Sequence, residues 1–323
     1  MFNIRKFLSI IFINVMVSDK NCVIKSYSIK NEKLIKTTEQ TFEIEQKKGI
    51  KNHLEKLIDN HYFSYVSLFF TSIGQGILPS TNKMDLNKFG IDDSAITLKQ
   101  FDKSFLYAAI TELKDADVVL DDLHVDLVYS PFAILYKIIK DRKKDGFIFD
   151  GMNLFVLRYG EFICIMIYKN DMPKFGSFFE LKTKDANIVG EKTLDIEEDV
   201  TDLKDDELDE LNFDELEDIK IDENFNLDEN LEREEEADNI ETLGLDMMVF
   251  DYINNAIAEF YSNNAYDSDF INNIVIFEHD KSSKAMHAYI ENELMIKPMV
   301  YKVDIFDKML RMSAEDLGVK VDL

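Results

Sequence analysis

NLFVLRYGEFICIMIYKNDMPKFGSFFEL, residues Asn153 to Leu181, decides the fold. Leu154 to Arg158, Glu161 to Tyr168 and Pro173 to Leu181 are apolar runs rich in β-branched and aromatic side chains, which suits strands. Tyr159-Gly160 and Lys169 to Met172 are too short for anything but hairpin turns, so the three strands form an antiparallel meander. Just upstream, Ser130 is a good helix cap and Pro131 suits the first helical position, so Pro131 to Lys143 is a helix fed by a short strand, Val125 to Tyr129. Helix Glu112 to Leu123 and strand Ser104 to Ile110 precede it, in the order of a parallel crossover unit.

The same order stands at the start of the chain. Phe7 to Val17, Cys22 to Ile29 and Leu34 to Ile44 read as three strands separated by Ser18 to Asn21 and Lys30 to Lys33. Gly49 to Asn60 has apolar Ile50, Leu54, Leu57 and Ile58 at helical spacing, and Tyr62 to Thr71 reads as a buried strand. A loop around Gly74, Gly76 and Pro79 follows. Beyond the second meander the sequence predicts helix Leu245 to Ser262, strand Ile274 to Phe277, helix Ser283 to Leu294, strand Met299 to Val303 and helix Ile305 to Met312. Three antiparallel strands followed by alternating helices and strands therefore occur twice. The fold class is α/β: two ribonuclease-H-like lobes of the actin-like ATPase type, each a mixed sheet with flanking helices. The first lobe covers residues 1–145, and the second covers 146–184 and 245–323.

Between the parts of the second lobe lies an acidic insertion, 185–244, read as disordered. The chain of 323 residues has a formal net charge of −26, and residues 185–246 hold 27 acidic against 4 basic side chains. The remainder is close to neutral, which argues against direct nucleic-acid binding. Within the insertion Leu208, Leu211, Phe213, Leu216, Phe225 and Leu227 alternate with carboxylates, the composition of a segment that folds on a partner. A solvated loop that only raises solubility is the plainer alternative. Asp222 to Arg233 starts like a calcium loop but has Leu227 where glycine is needed and Arg233 where a bidentate glutamate should close it. No metal site is expected, and His279 and His287 read as loop and helix residues.

Arg5 and Lys6 before the apolar run 7–17 imitate a signal peptide, but the run holds Ser9 and Asn14 and fits a first strand better. Cys22 and Cys164 read as reduced core residues, pointing to a reducing compartment. No P-loop, dinucleotide, nucleophile-elbow or zincin motif occurs, so no catalytic residue is assigned.

HYFSYVSLFFTSIGQGILPS (residues 61–80), VDLVYSPFAILYKII (125–139) and the 153–181 meander together resemble the actin-like cytoplasmic assembly proteins of type IV pili, type II secretion and DNA-uptake systems. The resemblance implies a cytoplasmic protein, peripheral on the inner membrane, that docks tails of inner-membrane pilus or secretion subunits and contacts a secretion ATPase. Some family members bind ATP with Mg²⁺. The first phosphate hairpin of that family would fall at Asn14 to Asp19, which lacks glycine and ends its strand without a carboxylate. Asp150-Gly151 fits the second site, and is equally the commonest plain hairpin turn. The third would follow Phe277, where Glu278-His279-Asp280 stands. Two degenerate sites of three predict a pseudo-ATPase scaffold without a bound cofactor. An active ATPase or kinase using Asp150, and an acidic regulator acting through residues 195–236 on a basic partner site, are the alternatives.

Overall fold

The structure, a computed structural model, describes residues 8–18, 20–119, 124–160, 162–181, 229–279 and 284–322. Residues 185–228 of the acidic insertion, with Leu208, Leu211, Phe213, Leu216, Phe225 and Leu227, lie outside the described residues, as does the calcium-like stretch up to 228.

The first meander is β1 (Ile10–Val17), β2 (Asn21–Lys30) and β3 (Lys33–Glu43), followed by α1 (Lys47–Asp59) and β4 (Phe63–Phe69). β1 is antiparallel to β2 and parallel to β4. Its side chains alternate between two cores: Ile11, Ile13 and Val15 pack with Ile50 and Leu54 of α1, while Ile10, Phe12 and Met16 join the core on the other face. A strand buried on both faces has to be apolar at both parities, which is why 7–17 resembles a signal peptide.

Next come β5 (Gln75–Leu78), a 3₁₀ helix at Lys83–Phe89, β6 (Ile96–Phe101), β7 (Ser104–Ala109), α2 (Ile110–Val119), β8 (Leu127–Tyr129) and α3 (Pro131–Lys144). Here the structure departs from the sequence reading. Ser104 to Ile110 is no member of the main sheet; β7 is the centre of a separate antiparallel sheet ordered β5-β7-β6. That small sheet, with its own cluster of Leu78, Leu86 and Phe105, is inserted in the crossover from β4 to β8, which pair in parallel.

The second half repeats the first as β9 (Met152–Tyr159), β10 (Phe162–Lys169), β11 (Met172–Glu180), α4 (Glu229–Ser262), β12 (Ile271–Glu278), α5 (Lys284–Leu294), β13 (Met299–Lys302) and α6 (Ile305–Asp316). The two main sheets have the same order, β3-β2-β1-β4-β8 and β11-β10-β9-β12-β13. α4 begins at Glu229 rather than Leu245, so the end of the stretch expected to be disordered is helical; glutamate is a strong helix former, and low hydrophobicity alone does not forbid a helix. Residues 182–245 cluster as a unit apart from the rest of the chain. Among the described residues no helix is long and apolar enough to cross a membrane.

The last helix of each half packs on the other half's sheet. α3 lies on β9 and β10, and α6 lies on β1 and β4. Buried Asn14 and Ser67, register partners on β1 and β4, receive α6: the Asn14 amide donates to the Phe306 carbonyl at 2.8 Å, and the Ser67 and Ser313 hydroxyls meet at 2.8 Å. One continuous core, from Phe12 and Phe132 to Phe155 and Phe306, results. Cys22 and Cys164 are buried free thiols in this frame, and burial pushes the Cys22 thiol up to about 12.

Candidate functional site

In open α/β sheets ligands bind outside the carboxyl ends of the parallel strands. The rim to inspect is therefore where β1, β4, β9 and β12 end.

The turn after β1 closes on itself. Ser18 donates its N–H to the Asn21 carbonyl at 2.8 Å, and the Asn21 N–H goes to the Ser18 hydroxyl at 3.0 Å. Those donors are already used, whereas a phosphate cradle needs backbone N–H groups aimed outward. At the end of β9 successive side chains go to opposite faces, as strand geometry requires. Tyr159 turns toward the shared core and Arg158 to the outer face, where it meets Asp246 of α4 at 2.5 Å. The Tyr159 ring lies 4.6 Å from the His279 ring, 6.1 Å from Phe306 and 6.5 Å from Phe69, centroid to centroid. His279, just past β12, is fixed in turn: its N–H donates to the Arg158 carbonyl at 3.0 Å and its Nδ1 stands 3.2 Å from the Val303 carbonyl. Packed rings thus line the rim between the halves.

A triphosphate with its metal ion needs free N–H groups and a carboxylate at such a strand end. The described rim residues present a closed turn and the Tyr159, His279 and Phe306 rings instead, and do not fit that ligand. Among the described residues no group of three or more metal-ligating side chains converges.

Asp150 and Gly151 stand at the amino-terminal end of β9, away from this rim. Gly151 has a positive φ of 72°, and an added Cβ would fall 2.1 Å from the Asn272 Oδ1, which accepts the Met152 N–H at 2.8 Å. The Asp150 carbonyl accepts from Asn273 at 3.2 Å. Those contacts make a strand-entry turn that ties β9 to β12.

The sequence reading missed a polar junction between the halves. Lys25 of β2 reaches Asp304, the cap of α6, at 2.7 Å and Asp307 at 3.8 Å; Tyr27 donates to Asp307 at 2.7 Å. Burial pushes the Lys25 ammonium down, but Asp304, Asp307 and Glu39 outweigh it and hold it above its ordinary value. Burial likewise raises Asp304, and the Lys25 hydrogen bond and the Asp307 N–H overcome that, leaving the carboxyl below its usual range. Farther along, Lys308 bonds Asp141 of α3 at 3.0 Å, and the Tyr129 hydroxyl donates to Asp316 at 2.8 Å.

Comparison with solved structures bears on the fold. The PilM-PilN type IV pilus biogenesis complex is similar over 97% of this chain and 93% of its own, at 10% identity and a TM-score of 0.52. A Bacteroides thetaiotaomicron VPI-5482 protein with actin-like ATPase fold and unknown function matches over 96% and 99%, at 7% identity and 0.46. Acetate kinase from Entamoeba histolytica matches over 95% and 99%, at 8% and 0.42. The fold is the actin-like ATPase fold, two mixed sheets with flanking helices, as the sequence predicts. No curated protein matches the sequence. A family model described as domain of unknown function DUF8569 matches residues 7–136. A second, domain of unknown function DUF8341, matches residues 154–318, half of the chain, and to that family the chain belongs.

Proposed function

We propose that this protein is a non-catalytic scaffold that holds subunits of a pilus or related membrane machine through their extended tails. The observation that carries the reading is the rim: the place where an actin-like fold would take a nucleotide is lined by Tyr159, His279 and Phe306, and in the turn after β1 the Ser18 and Asn21 N–H groups bond within the turn. The likeness to a PilM-PilN complex supports the choice of machine. In this reading the protein is cytoplasmic and peripheral to the inner membrane, held there by its partners.

A scaffold of this fold needs a surface for an extended peptide, and β3 suits one. It is an edge strand of 11 residues, bridged on its outer side at Lys33 to Asp322, with Leu34 exposed and Ile35 65% exposed. Unpaired N–H and C=O groups along such an edge can take an added strand, and the side chains beside them give selectivity. β8 spans three residues, and β11 runs against β5, so neither offers a comparable edge.

The test is crosslinking in the native cell with full-length protein and with Ile35→Lys, a charge placed on that edge. Recovery of membrane-anchored pilus or secretion subunits, reduced by Ile35→Lys, supports the scaffold. Tight Mg-ATP binding with turnover by the purified protein overturns it.

A further inference from the structure

The two faces of β3 differ in charge along its free edge. A bulge opposite Ser28 and Ile29 and the bridge from Lys33 to Asp322 mark the start of the strand. From Lys36 to Phe42 the pairing with β2 is regular, and among the described residues nothing pairs on the outer side. Every second residue of that stretch leaves its N–H and C=O without a strand partner.

The register fixes which side chains would flank an added strand. Thr37 stands opposite Tyr27, Glu39 opposite Lys25 and Thr41 opposite Val23, and Tyr27 and Lys25 reach Asp307 and Asp304 of α6, so Thr37, Glu39 and Thr41 lie on the α6 face. Lys36 stands opposite Ser28, whose hydroxyl meets His61 just past α1, so Lys36 lies on the other face. On the α6 face three carboxylates, Asp304, Glu39 and Asp307, share the single Lys25 ammonium at 2.7, 3.7 and 3.8 Å. The Glu39 carboxylate is 55% exposed. Of the α6 cations, Lys308 is held by Asp141, and Arg311 stands one turn beyond Asp307 with no ion pair to it among the described residues. Lys36 is exposed and makes no ion pair among the described residues.

Charges on an edge strand discourage unwanted pairing. They reject an added strand only where like charges meet, because cross-strand neighbours of opposite sign attract. We infer that β3 selects, among extended tails, an antiparallel strand that carries Arg or Lys opposite Glu39 and Glu or Asp opposite Lys36. Such a tail reads cation-x-x-acid from its amino end, since an antiparallel strand passes Glu39 before Lys36, and the odd spacing sends the two charges to opposite faces. The inference rests on the β3 reading above and adds the partner's charge order to it.

The experiment uses the full chain and fluorescence anisotropy of labelled peptides with blocked ends and Thr and Val at the remaining positions. One carries Arg-x-x-Glu and the other Glu-x-x-Arg. Both have the same composition and no net charge, so general attraction to a chain of net charge −26 favours neither. A third peptide, Arg-x-x-Glu with Pro at alternate flanking positions, cannot pair as a strand. Arg-x-x-Glu is expected to bind about three- to tenfold tighter than Glu-x-x-Arg, and the Pro peptide not at all. The double variant Lys36→Glu, Glu39→Lys changes two exposed side chains, keeps the net charge, and should invert the preference. Equal affinities, a preference for Glu-x-x-Arg, binding of the Pro peptide, or an unchanged preference in the double variant overturns the charge order and leaves the open edge to the Ile35→Lys test. No binding of either neutral peptide also overturns it: if crosslinking in the cell still recovers membrane subunits, the scaffold reading survives, and if it recovers none, both fall.

Discussion

Arg158 and Asp246 offer the sharpest test of how the second half is held. Their side chains are 6% and 1% exposed, and the Arg158 Nη1 stands 2.5 Å from the carboxylate and 3.6 Å from the Met286 sulfur. Arg158→Met would leave the Asp246 charge buried beside an apolar side chain, and removing one partner of such a pair costs about 3–5 kcal/mol. With a urea m-value of about 3 kcal/mol/M for a domain of this size, that is a fall of roughly 1–1.7 M in the unfolding midpoint. Asp246→Leu should cost about as much, since it strands the guanidinium. The double variant removes both charges together, so its loss should be much smaller than the sum of the two, about 1–2 kcal/mol. The assay is urea denaturation followed by circular dichroism, run as a complete double-mutant cycle. Single variants within ~1 kcal/mol of the parent, or a double variant equal to the sum, would refute the claim that these charges are desolvated and depend on each other.

Three further outcomes follow from particular contacts. A Cβ at Gly176 would sit 2.3 Å from Ile77 Cγ2 and 2.8 Å from the Phe132 ring, so Gly176→Ala should cost about 1–3 kcal/mol, and Ile77→Ala in the same chain should recover part of it in thermal melts. Tyr159→Ala removes a partly buried ring at the rim and should cost less than the ~3–5 kcal/mol of a fully buried aromatic, without creating Mg-ATP binding, checked by denaturation and titration calorimetry. Asp304 and Asp141 are both held below the ordinary carboxylate range, so the stability they contribute is full above about pH 4 and is lost as pH falls through their depressed folded values; acid unfolding of Asp304→Asn should therefore be shallower than that of the parent.

The sheets were readable because strands buried on both faces must be apolar throughout. β1, β9 and β10 show that pattern, and two-residue or four-residue turns between them leave little topological choice. The small sheet was not readable. β5 is the four residues Gln-Gly-Ile-Leu, read as a loop because of Gly76, and β6 is short and half polar; both pair with β7. The rim was half readable. In the resembled family the phosphate hairpin follows the first strand of each meander, and the same rule here points to the turn after β1 and to Tyr159-Gly160 after β9 rather than to Asp150-Gly151 before it. The rest of the rim has no signature in spacing, since Tyr159 and His279 meet only because β9 and β12 are parallel neighbours, and Lys25 and Asp304 are separated by 279 positions.

The crossed helices join these observations. Because α3 lies on the second sheet and α6 on the first, opening the two halves would separate each helix from an apolar sheet face, and also break Asn14 to Phe306, Ser67 to Ser313 and Lys25 to Asp304. Burial of Phe306, Ile305 and Met309 against the shared core alone is worth about 1.5–3 kcal/mol per side chain. A hinge driven by a ligand needs that ligand to bind one arrangement better than the other, and at the rim the Tyr159, His279 and Phe306 rings meet one another. These contacts fasten the two halves together, which is what the proposed scaffold role asks of the fold.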